Sequence, residues 1–111
     1  MTDEVFDYVV IGAGTAGCVV AGRLSENGKF RVCVLEAGPP DRNPFIHIPA
    51  GVLYTLRNPA INWMYKGVGS AGLAGRAIDH ARGRTLGGSG SINGHIYNRG
   101  QKADFDTWAQ L

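Results

Sequence analysis

DYVVIGAGTAGCVVAGRLSENGKFRVCVLE, residues 7–36, decides the fold. A short apolar, β-branched run (Val9, Val10, Ile11) leads directly into Gly12-x-Gly14-x-x-Gly17. Such a run predicts a strand buried on both faces. A helix is predicted to begin near Thr15, with Val20, Ala21 and Leu24 on the face that packs against the sheet. Asn27-Gly28 is a stop signal, and Arg31–Leu35 reads as a second strand with Val32 and Val34 on one face. This order, strand–glycine turn–helix–strand, is the layout of a dinucleotide-binding βαβ unit of the α/β class, placed at residues 5–37.

Each part has its own physical task. Gly12 permits a sharp turn where a Cβ would clash. Gly14 leaves space for a pyrophosphate to approach the backbone, and Gly17 lets the helix pack close to the strand. The helix start, near Thr15, aims unpaired N–H groups and a positive dipole end at the phosphates. Glu36 follows Gly17 by 19 residues and ends the second strand, next to Ala37. A carboxylate there accepts hydrogen bonds from the ribose hydroxyls of an adenosine and repels a 2′-phosphate. The unit alone leaves FAD and NAD both open.

Composition narrows the class. The 111 residues allow one domain at most, and 44% hydrophobic residues are enough for a core. Glycine is in excess, 17 residues or about twice the ordinary share. These glycines cluster at 12–17, 67–75 and 83–100, so they mark loops with tasks. A net charge of +2 is too small to imply a nucleic-acid or membrane-surface partner. The start, MTDEVFDYVV, has neither a basic region nor a long apolar stretch, and no apolar run is long enough to span a bilayer. Cys18 and Cys33 read as small buried hydrophobes, with a disulfide the less favoured reading. The compartment expected from these features is the cytoplasm.

Beyond Glu36 the signals weaken. Four of five prolines fall between 39 and 49, so residues 38–51 are expected to be irregular or extended. Residues 51–56 read as a short helix or an extended segment, and Ala77-Ile78 as a short strand. Trp63-Met64-Tyr65 fits either core packing or ligand contact. Residues 38–81 together act as a linker into a second glycine-rich cluster, Gly83-Arg84-Thr85-Leu86-Gly87-Gly88-Ser89-Gly90-Ser91-Ile92-Asn93-Gly94. That cluster fits an anion-binding nest, to which Arg82 and Arg84 add charged donors, or simply a turn-rich loop. At 103–111, Asp104 caps a helix whose Phe105, Trp108 and Leu111 form an apolar stripe. A stripe without a partner leads to the expectation that the chain is part of a longer protein.

The cluster, extended as GRTLGGSGSINGHIYNRGQKADFD over residues 83–106, resembles the first signature of the glucose–methanol–choline (GMC) oxidoreductases. Members of that family also open with a strand–GxGxxG–helix–strand–Glu unit, so the resemblance covers essentially the whole chain. Its style is that of choline dehydrogenase-like and aryl-alcohol oxidase-like members. The resemblance implies FAD and oxidation of an alcohol carbon by hydride transfer to flavin N5. It places the ADP half on Gly12, Gly14, Thr15, Ala16, Glu36 and Ala37. It sets Trp63 and Arg84 beside the cofactor, with Gly87, Gly88, Ser89, Asn93, Gly94 and His95 along its remainder.

Two departures matter. Some members tether FAD through a histidine at the position held here by Ile92, so the resemblance implies non-covalent flavin. Residue 90 is Gly where Ser or Thr is common. His95 fits either a flavin neighbour or a packed loop residue, and His47 and His80 carry no motif. The family's catalytic histidine lies near the C-terminus of a much longer chain, and no residue here matches it. The implied alcohol substrate would meet parts outside these residues. Two alternatives stand beside the redox reading: the same flavin scaffold serving cyanohydrin cleavage, and a nucleotide-binding module without chemistry.

Overall fold

Residues 4–111 are described by the computed structural model. Strand β1 (Tyr8–Ile11) ends at Gly12, whose φ of 95° turns the chain into helix α1 (Thr15–Ser25). A Cβ on Gly12 would meet nothing within 4 Å, so conformation, not crowding, requires glycine there. Gly17 differs. A Cβ on it would collide with the carbonyl oxygen of Gly12, so the close seating of α1 on the turn depends on its absence. Helix α1 ends at Ser25, and Gly28 takes a left-handed φ of 67° while its N–H reaches the Ser25 carbonyl at 3.0 Å.

Strand β2 (Val32–Leu35) returns parallel to β1, with Tyr8 opposite Val32 and Ile11 opposite Leu35. The pairing is extended at both ends. Asp7 exchanges hydrogen bonds with Arg31, and Gly12 N donates to Leu35 O at 2.7 Å. The βαβ unit therefore forms as its sequence predicts.

Burial within that unit does not follow the prediction. Val9 is 56% and Ile11 86% exposed, although the run reads as a strand covered on both faces. The cause is the width of the sheet: two strands and one helix cannot enclose it. For the same reason α1 buries Ala21 and half-buries Leu24 but leaves Val20 outside. Cys18 is exposed and Cys33 half-buried, not buried as expected, and both are free thiols.

Residues 38–51 are more ordered than their prolines imply. Pro44 opens helix α2 (Pro44–His47), capped by the Asn43 side chain accepting from Phe45 N at 3.0 Å, and Pro49 opens a 3-10 turn. Proline's fixed φ favours the first position of a helix, so here it starts structure instead of breaking it. Helix α3 (Val52–Thr55) follows. Strands β3 (Tyr65–Lys66) and β4 (Asp79–His80) then pair antiparallel, two residues beyond the expected strand at Ala77-Ile78.

The core sits away from the sheet. Its buried members are Ala13, Ala21, Ile61 and Ile92, with Thr55, Asn62 and Thr85 as buried polar groups. Most of them come from the first glycine turn, the 61–62 crossing and the second glycine cluster. Helix α4 (Lys102–Trp108) forms with Asp104 accepting from Gln101 N at 3.1 Å, a cap that fits the sequence reading. Its Phe105 and Trp108 are exposed, as is Leu111, which lies beyond the end of the helix and not on the expected stripe. The radius of gyration is 18.3 Å, against about 13 Å for a self-contained domain of this length.

Candidate functional site

The two glycine-rich segments, some seventy residues apart, meet backbone to backbone. Gly87 N donates to Ala13 O at 2.8 Å, and Gly14 bridges Gly87 in parallel fashion. Gly87 and Gly88 both hold positive φ, 85° and 59°. A Cβ on Gly88 would stand 2.8 Å from Gly14 Cα, and one on Gly90 would stand 2.8 Å from Thr15 Oγ1. The second cluster, a 3-10 turn over Gly88–Ser91, thus fits against the start of α1 because Gly88 and Gly90 carry no side chain there.

Further ties hold this junction. A Cβ on Gly38 would collide with the Arg84 carbonyl, so the chain after β2 also runs close to the cluster. Pro39 O accepts from Leu86 N at 3.1 Å and from Thr85 Oγ1 at 2.8 Å, and Thr85 is fully buried. Gly83 N donates to Ser89 Oγ at 3.0 Å.

Glu36 is anchored from two sides. One carboxylate oxygen accepts from Ala13 N at 2.8 Å and the other from Gly38 N at 2.9 Å. The acid therefore pins the first glycine turn to the chain leaving β2, a role its sequence position did not reveal. A carboxylate has about four acceptor directions, so two remain for a ligand hydroxyl.

Beside the junction opens a groove of about 550 Å³, lined mostly by apolar surface and by backbone. It brings together Gly12, Gly14, Glu36, Ala37, Trp63, Gly88 and Ser89 from the sequence-based set. Ile11, Leu35, Tyr65, Arg82 and Gly83 complete it. Tyr65 joins Trp63 on the groove although Met64 between them takes a left-handed φ of 54°, a turn that no local sequence pattern announces. Their rings stack nearly parallel at 5.9 Å.

Not every expected residue reaches the groove wall. Thr15 and Ala16 lie on the exposed first turn of α1, just past Gly14, and Gly87 lies behind Gly88 in the junction. Asn93, Gly94 and His95 are exposed and occupied locally. Asn93 Oδ1 accepts from His95 N at 2.8 Å, and His95 adopts a left-handed φ of 55°. Arg84 turns away from the groove, with Nη2 donating to Pro59 O at 2.9 Å and to Ala60 O at 3.2 Å. The Asn93 side chain and Arg84 Nη2 are thus engaged by nearby backbone.

The aromatic wall hangs on Asn62, which is almost fully buried. Its amide donates to Leu56 O at 2.7 Å, and its oxygen accepts from Met64 N and Arg82 N, both at 3.0 Å. Trp63 N donates to Arg82 O at 2.9 Å. The two strips that carry Trp63, Tyr65, Arg82 and Gly83 are thus laced across one side chain. Among the described residues no helix is long and apolar enough to cross a membrane, and no His, Cys, Asp or Glu cluster suits a metal ion.

Comparison with known proteins accords with this layout. Residues 6–111 match the family model described as GMC oxidoreductase. The chain is 45% identical over 106 residues to an alcohol dehydrogenase [acceptor] of Pseudomonas putida, covering 96% of this chain and 19% of that protein. It is 44% identical over 108 residues to an oxygen-dependent choline dehydrogenase of Photobacterium profundum, covering 97% and 19%. Among solved structures it is similar to pyridoxine 4-oxidase from Mesorbium loti, with a TM-score of 0.80, 39% identity, and coverage of 94% of this chain and 20% of that one. A formate oxidase gives a TM-score of 0.79 at 38% identity, covering 97% and 19%. The chain spans about a fifth of the length of these relatives. The chain belongs to the GMC oxidoreductase family and supplies part of its FAD-binding region.

Proposed function

We propose that this chain holds FAD, non-covalently, for an enzyme that oxidises a primary alcohol to an aldehyde. The observation that carries the reading is the backbone-to-backbone junction of Gly14 with Gly87 and Gly88 at the mouth of the α1 N-terminus. Gly14 and Gly88 approach so closely that a Cβ on Gly88 would meet Gly14 Cα at 2.8 Å, and beside them lies a groove of about 550 Å³. The donor set fits as well. The first turn of α1 contains no acid, so its N–H groups face an anion without competition. The two free acceptor directions of Glu36 suit ribose hydroxyls.

In this reading Gly12, Gly14, Thr15, Ala16, Glu36 and Ala37 hold the ADP half. Trp63 and Tyr65 form an apolar wall, and Gly87, Gly88 and Ser89 support the remainder through backbone and hydroxyl. Asn93, Gly94 and His95 extend the proposed set along the loop that follows. Ile92 packs its side chain into the core, where a tether to a ligand has no nucleophile. In this division residues 5–37 are the βαβ unit, 38–81 the linker and 83–106 the GMC-type signature. The chemistry that bound FAD supplies is acceptance of a hydride from the alcohol carbon. This chain's contribution is to position and desolvate the cofactor. The groups that touch the alcohol, the base included, are proposed to lie in the part of the relatives beyond the matched fifth. The proposed compartment is the cytoplasm, in keeping with two free thiols, one of them exposed.

Titration with FAD, followed by quenching of flavin fluorescence, tests the cofactor assignment. Saturable FAD binding, no competition from NAD, and release of all flavin on acid precipitation are expected. Equal binding of NAD overturns the FAD assignment, and flavin retained on the precipitate overturns the non-covalent one. Alcohol-dependent bleaching of the flavin in the enzyme carrying this chain tests the reaction. Cyanohydrin cleavage without bleaching overturns it.

A further inference from the structure

Arg84 carries a cation that could serve an anionic ligand, yet its surroundings commit it elsewhere. Its Nη2 donates to the Pro59 and Ala60 carbonyls, and its backbone N donates to Ile61 O at 2.8 Å. Its guanidinium carbon stands 5.3 Å from the centroid of the Trp63 ring. Nε is buried without a hydrogen-bond partner, shut off from solvent and from a ligand in the groove. Trp63 lines the groove; Arg84 does not.

The backbone of Trp63 is already fixed by its hydrogen bond to Arg82 O and by the Asn62 crossing. What those bonds leave free is the direction of the indole. A planar guanidinium anchored through Nη2 on two carbonyls restricts it, because those two bonds fix the plane while its face attracts the ring. A lysine has the charge but neither the plane nor the fork.

We infer that Arg84 is a positioning residue that fixes the Trp63 indole as a wall of the cofactor groove and does not itself contact the cofactor. The inference deepens the FAD reading above and rests on it for the affinity arm of its test.

The chain has two tryptophans, so in the enzyme carrying it W108F, together with phenylalanine at each tryptophan outside this chain, leaves Trp63 as the sole indole. In that background, R84M, R84K and R82M are compared by acrylamide quenching of Trp63 emission and by FAD titration. R84M is expected to raise the quenching constant about twofold and to weaken FAD binding about fivefold, the range of one partly buried cation–π contact. R84K falls between R84M and the parent in both. R82M weakens FAD binding and leaves Trp63 quenching at the parent value, because Arg82 lines the groove without holding the indole. Unchanged quenching in R84M overturns the inference, whether or not FAD affinity falls; loss of affinity alone marks Arg84 as a direct ligand contact. If far-UV circular dichroism shows R84M unfolded, R84K is judged by the same criteria. If the parent binds no FAD, the cofactor reading fails, and the quenching comparison alone decides the role of Arg84.

Discussion

At the junction of residues 12–17 and 83–92 the contacts are made by backbone, with glycines where side chains would collide; in α4 the large side chains Phe105 and Trp108 stand in solvent. Helix α4 is capped by Asp104, whereas neither α1 nor the 3-10 turn at the junction has a side-chain cap. The two regions differ in where their binding capacity is spent. The junction satisfies itself: Ala13, Gly38, Gly83 and Gly87 donate their N–H groups to partners elsewhere in the chain. What it leaves open is a groove of about 550 Å³. Helix α4 satisfies only its own backbone and leaves an apolar stripe uncovered. The comparison separates a site that the chain completes in its framework from a face that it only presents. It also orders substitutions: those that add atoms at the junction must damage both fold and ligand binding, and those on α4 must damage neither within this chain.

The largest loss is expected from G17A. The new methyl collides with the Gly12 carbonyl, which belongs to a hydrogen-bonded backbone and cannot move without unseating α1. A loss on the order of 3 kcal/mol is expected in denaturant unfolding, with FAD binding abolished. A G17A chain as stable as its parent would show that α1 is not seated on the turn.

G88A tests the interlock itself. It places a Cβ 2.8 Å from Gly14 Cα and forces a left-handed φ of 59° on a residue that rarely takes it. About 2 kcal/mol of stability is expected to be lost, and FAD affinity is expected to fall further than stability alone explains. Parent-like FAD affinity would remove the second cluster from the site.

N62D acts at the aromatic wall. Aspartate keeps the acceptor for Met64 N and Arg82 N but turns the donor facing Leu56 O into a second acceptor. A buried carbonyl left without its donor costs about 1–3 kcal/mol. Thermal unfolding should show that loss, accompanied by a red shift of Trp63 emission as the wall loosens. An unchanged melting temperature would show that the Asn62 crossing is dispensable.

Much of this was legible in the chain because it is local. The βαβ unit depends on periodicity, a glycine turn and a stop signal, all within thirty residues, and each reading rests on neighbours in sequence. The second cluster was legible as a constellation of residue types. What escaped was contact between distant segments. Nothing near Glu36 shows that its carboxylate would bond Ala13 N, 23 positions back. Asn62 reads as an ordinary polar residue, since burial of an amide depends on partners supplied by residues 56 and 82. Strands β3 and β4 are two residues each, too short to carry a period. The exposure of Ile11 and Val9 escaped for a different reason. Sequence reports what a strand is suited to, and burial requires neighbours to be present.

The smallest effect expected is also the cleanest contrast with Gly17. Gly22 lies further along the same helix, and a Cβ there meets nothing within 4 Å. Its φ is not in the left-handed region, so alanine is compatible with its backbone. G22A therefore removes the entropy that glycine loses on entering a helix and adds no clash. A gain of about 0.5–1 kcal/mol is expected, with FAD affinity unchanged. The position also borders the shallow surface formed by Cys18, Val19, Arg23 and Glu26. If G22A destabilises the enzyme carrying this chain while stabilising the chain alone, that surface is where a further element packs. If it stabilises both, the face of α1 opposite the sheet is solvent in each, and the distinction between a completed junction and presented faces narrows to α4 and the open strand β1.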